Sequence, residues 1–156
     1  MTTAAIPMPV QRGKLLLPIL VGGAVAGTLD LIAAFLSFGL VVPRGIAAGL
    51  IGIEAVKSFS PTLTWILGVL LHYFIAFAAA TVYCLASRRL GFLKEHFLVC
   101  GLFYGIAVFL TMNLIVLPLC ALHAAGPYQL RNLRTGLIVH MLIIGLPISY
   151  SLRKLS

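Results

Sequence analysis

Carboxylates are almost missing from this chain. Among 156 residues only Asp30, Glu54 and Glu95 are acidic, against eleven Lys and Arg, which leaves a formal net charge of +8. Charge of either sign is scarce, at 9% of residues, where a soluble domain carries about 25%. Cysteine is limited to Cys84, Cys100 and Cys120, without CxxC spacing, so neither a disulfide framework nor a zinc site is implied. No glycine-rich phosphate loop is present, and no Ser or Cys stands beside a His in an arrangement for nucleophilic attack. The basic residues come in twos and threes that flank apolar runs, with no aromatic interleaving, which excludes nucleic acid as a partner. These absences argue against an enzyme.

What is abundant is apolar surface: 62% of residues are hydrophobic, and the mean hydropathy is +1.14. Stretches of about 20 apolar residues separated by short basic loops mark an all-α integral membrane protein. Four such spans are expected, over Leu15–Val42, Thr62–Ala86, Phe97–Leu122 and Thr135–Leu152. Pro43 and Arg44 are expected to end the first. Arg12, Lys14, Leu15–Gly23 and Ala24-Val25-Ala26 imitate a signal peptide with its cleavage site. The apolar run continues well past that point, so an uncleaved first span is expected. Residues 1–14 read as a disordered cytoplasmic tail, and 15–156 as a single transmembrane domain, a four-helix bundle. Gly45–Val56 is apolar but too short to cross, which predicts a short interfacial or re-entrant helix between spans one and two.

Orientation follows from the basic residues. With four spans, Arg12, Lys14, Arg88, Arg89, Lys94, Arg153 and Lys154 share one side, and Arg44, Lys57, Arg131 and Arg134 the other. This bias places both termini in the cytoplasm.

Polar side chains inside the spans are the candidates for function, because an ionisable group at that depth costs several kcal/mol and is a functional-site hypothesis by default. Asp30 lies in the first span on a stripe of small residues that includes Gly23, Gly27, Ala34 and Ser37. His72 shares a face with Gly68, Ala76, Ala79 and Tyr83, and His140 one with Gly136, Ile143, Pro147 and Tyr150. The third span carries Asn113 and the GxxxG pair Gly101 and Gly105. At about 1.5 Å per residue, Asp30, His72, Asn113 and His140 are predicted to share one slab of the membrane. Such a cluster can hold helices together, carry a proton or cation, or hold a cofactor. Two intramembrane histidines also admit bis-imidazole haem b ligation, although no cofactor is expected.

The stretch Gly68–Cys84 (GVLLHYFIAFAAATVYC) resembles the corresponding histidine-bearing helix of the bacterial YagU-like inner-membrane proteins, which also ends in a Tyr-Cys pair. A second resemblance covers most of residues 19–154. Gly27-Thr28-Leu29-Asp30, Tyr104-Gly105, Met112-Asn113, His140 and Gly145-Leu146-Pro147 are similar to a pattern in short bacterial four-helix membrane proteins. These resemblances imply a bacterial inner membrane and four helices, and no reaction.

Three functional expectations follow. The first is a non-enzymatic accessory component of the bilayer, self-associated or held by a membrane-protein partner. The second is a proton- or ion-coupled transport or permeability factor using the intramembrane Asp and His residues. The third is a haem- or quinone-associated redox protein.

Overall fold

A computed structural model describes residues 15–123 and 130–156, with side chains from 133 onward in the last helix. The expected tail over 1–14 and the middle of the connection His123–Arg134 lie outside the described residues. Leu16–Phe38 (α1) holds Pro18 in its first turn, where a missing N–H costs no helical bond. It ends at Gly39, whose φ of 78° favours a residue without a Cβ. The predicted end at Pro43 is therefore too late. Pro43 opens the next helix, Val42–Ile51 (α2), because a fixed φ suits the first helical turn. Gly52, at φ 85°, separates α2 from Ile53–Ser58 (α3), so Gly45–Val56 falls across two short helices. Then follow Pro61–Ala86 (α4), Phe92–Glu95 (α5) and Phe97–Leu119 (α6). The last helix, α7, is the continuous run of Leu130–Val139, His140–Gly145 and Leu146–Leu155. Among the described residues four helices are long and apolar enough to cross a membrane: α1, α4, α6 and, over Leu133–Leu155, α7.

Lipid tails are as apolar as leucine, so membrane helices are held by close packing and interhelical hydrogen bonds. Glycine supplies the closeness here. Gly23 of α1 lies against Phe77 of α4, and Gly27 against Tyr73 and Ala76, which makes the two helices antiparallel. On its other side α1 meets α7, where Gly22 faces Ile148 and Ser151. Gly101 and Gly105 of α6 press on the α7 backbone at Gly145 and at His140-Met141, so the GxxxG of the third span serves the fourth. The lateral order is therefore α4, α1, α7, α6. Ala26, Ala80, Tyr83, Cys84, Ile144, Ile148 and Leu152 form the buried centre. Among the described residues α4 and α6 have little direct backbone packing, and α2 lies across α4 with Pro43 on Gly68 and Ala47 fully buried.

Two of the spans change gauge. Met112–Val116 and His140–Gly145 are π-helical turns, and each comes just before a proline, Pro118 and Pro147. Proline has no N–H to give and its ring crowds the carbonyl four residues back; widening the preceding turn relieves both. A wide turn also inserts about one extra residue into the helical repeat. The effect on α7 is visible. The face predicted by an unbroken 3.6 period runs through Ile143, Pro147 and Tyr150, but the buried positions are Ile144, Gly145, Ile148, Ser149, Ser151 and Leu152, and Tyr150 is 50% exposed.

Candidate functional site

Asp30 lies eight residues before the end of α1, and His72 eleven residues after the start of α4. In an antiparallel pair these depths coincide to within one turn, at roughly 1.5 Å per residue. Nε2 of His72 lies 2.8 Å from the Gly27 carbonyl oxygen and 4.0 Å from Oδ2 of Asp30. A carbonyl only accepts, so the Nε2–H of His72 donates to Gly27. The Asp30 carboxylate is beyond hydrogen-bond range of the ring, and its side chain keeps 22% of its accessible area. Beside this pair, the Thr28 and Tyr73 hydroxyls are 2.8 Å apart, a second polar tie between α1 and α4.

His140 stands at the first position of the π turn in α7. Its Nδ1–H donates to the Gly136 carbonyl of its own helix at 2.8 Å. The ring meets Phe109 edge-on, with centroids 5.4 Å apart. Asp30, His72 and His140 all line one cavity of about 910 Å³ between α4 and α6. Carbon surfaces make up the rest of its wall, among them Ile46 and Leu50 of α2, Ile75 of α4, Met112 of α6, and the thiol-bearing Cys120. Among the described residues no Lys or Arg lines it. This size and this mixture, mostly apolar with a few convergent polar groups, are typical of small-molecule sites.

Three of the four predicted polar residues are thus brought together, and Asn113 is not. It lies in the π turn of α6, where Nδ2 donates to the Phe109 carbonyl at 2.8 Å, and it does not line the cavity. Of the four groups expected to share a slab of the membrane, three therefore line this cavity. The packing candidates Gly23, Gly27, Gly101 and Gly105 all lie in helix–helix contacts.

Sequence reasoning missed a tyrosine pair further along the same seam. The Tyr104 hydroxyl of α6 donates to the Ala79 carbonyl of α4 at 2.6 Å, and its ring lies 4.8 Å from that of Tyr83. The Tyr83 hydroxyl in turn donates to the Leu93 carbonyl at 3.1 Å. Beyond this tyrosine pair a second cavity of about 750 Å³ opens between the same two helices, toward His96 and Cys100. A signal was present: tyrosines of membrane helices gather at the interfaces, whereas Tyr104 sits well inside an apolar run. Comparison with protein families, with curated proteins and with solved structures finds no match to this chain.

Proposed function

We propose that this chain is a non-enzymatic, multi-pass transport or permeability factor of a bacterial inner membrane, with both termini in the cytoplasm. Its path is the α4–α6 seam, and its proton- or cation-linked site is Asp30, His72 and His140. One observation carries the reading: a carboxylate and two imidazoles from three helices meet in a cavity that a tyrosine pair divides from a second cavity between the same helices. A carboxylate among apolar walls gains from a proton or a cation beside it, and this supports a proton- or cation-linked reading of the site. The resemblance of Gly68–Cys84 to YagU-like helices supports the bacterial inner membrane. The basic groups at Arg88, Arg89, Lys94, Arg153 and Lys154 support the orientation; the guanidinium of Arg153 donates to the Glu95 carbonyl at 3.3 Å and lies 4.6 Å over the Phe97 ring.

The test is proton flux into proteoliposomes, driven by a potassium diffusion potential and read with an entrapped pH-sensitive dye. Wild-type protein is expected to exceed empty liposomes clearly. Asp30→Asn, which removes the titrating carboxyl but no hydrogen bond, is expected to fall to the background without a change in thermal melting. Wild-type flux at the level of empty liposomes sinks the reading. A second reading, an accessory component that associates with itself or with another membrane protein, is favoured by the His72–Gly27 and Thr28–Tyr73 ties, which hold helices together whatever the cavity does.

A further inference from the structure

From the same cavity we infer the class of solute: an organic cation with a bulky apolar body. The inference rests on the transport reading for its site, but concerns what the site recognises. Of the three acids in the chain, Glu54 is paired with Lys57 at 2.7 Å, and Glu95 lies in the short helix α5 between spans. Asp30 is therefore the one carboxylate among the described spans, and its side chain opens into the cavity.

The one carboxylate of the wall decides the sign of the ligand. The two imidazoles beside it each give an N–H to a backbone carbonyl, His72 to Gly27 and His140 to Gly136. Asp30 supplies an anion to the wall, and among the described residues no ammonium or guanidinium lines the cavity to neutralise it. A phosphate, carboxylate or sulfonate head would meet the repulsion of that carboxylate. A cation gains the Coulomb attraction of Asp30 in a medium of low dielectric, where it is far stronger than in water. The remaining wall, from Ile46 through Ile75 to Met112, is hydrocarbon and thioether that suits a large apolar body. The volume of about 910 Å³ exceeds what an inorganic ion needs, which separates this class from sodium or potassium.

Equilibrium dialysis of the full chain in detergent, with radiolabelled tetraphenylphosphonium, tests the inference. The neutral comparison is triphenylphosphine oxide, a similar aromatic body whose oxygen is an acceptor. Wild-type protein is expected to bind the phosphonium at least about tenfold more tightly than the oxide, an advantage of about 1.4 kcal/mol. Asp30→Asn should remove that advantage, and Asp30→Glu should retain most of it. Equal binding of the two probes, or an Asp30→Asn protein that still prefers the cation, overturns the solute class while leaving a ligand-holding cavity in place. Failure of both probes to bind overturns the solute class and the use of the cavity by any bulky solute, whereas the transport reading fails separately, in the flux assay. Should Asp30→Asn not fold, the comparison of the two probes on the wild-type chain decides the matter alone.

Discussion

At the residue scale, the polar groups in the spans have two separable duties. His72 gives an N–H to the helix partner and also lines the cavity. His72→Leu deletes the bond to Gly27 and is expected to lower stability by about 1–2 kcal/mol, the scale of an interhelical hydrogen bond in a membrane. His72→Gln can still reach that carbonyl and is expected to melt close to wild type; thermal melting in detergent distinguishes the two, and equal melting of both refutes the bond. Glycine makes a sharper case. A Cβ at Gly105 would overlap the backbone of His140 and Met141, which cannot step aside, while at Gly49 the nearest atom is Cys120 Cβ at 3.7 Å. Gly105→Ala is accordingly expected to cost about 1–3 kcal/mol, the range for overpacking, and Gly49→Ala to be nearly neutral. Both duties were partly legible beforehand, since Asp30, His72 and His140 stand out by polarity in apolar runs. Asn113 stood out equally but does not line the cavity; in the π turn of α6 its amide donates to the Phe109 carbonyl.

At the element scale, proline and tyrosine set the shape of the seam. The wide turns before Pro118 and Pro147 shift the contact face of each helix, so that Gly145 rather than Pro147 meets Gly101. Periodicity read from the sequence assumes one gauge along a whole helix, and it slipped by one position after His140 for that reason. Tyr104 ties α6 to α4 where, among the described residues, their backbones pack little. Tyr104→Phe keeps the ring on Tyr83 and removes only the bond to Ala79. Its expected cost is about 1 kcal/mol in melting. Proton flux in the liposome assay is expected to rise, because the two cavities are then divided by ring contact alone. Unchanged flux would remove the tyrosine pair from the path.

At the scale of the whole molecule, the expected arrangement has both termini and the Ser87–His96 loop on one side. Reporter fusions at Ser156 and within His123–Arg134 should land in opposite compartments; the same compartment for both would refute the topology. Four helices long and apolar enough to cross a membrane, and the small-residue packing faces, were determined by the sequence alone, since apolarity and side-chain size are properties of consecutive residues and repeat along the helix axis. The lateral order α4, α1, α7, α6, the two cavities of the α4–α6 seam and the exclusion of Asn113 were decided only by the tertiary structure. The His72–Gly27 and Thr28–Tyr73 ties each join residues 45 positions apart. Which helices become neighbours depends on how glycine faces and prolyl wide turns fit across the membrane, and that fit leaves no local pattern in the chain.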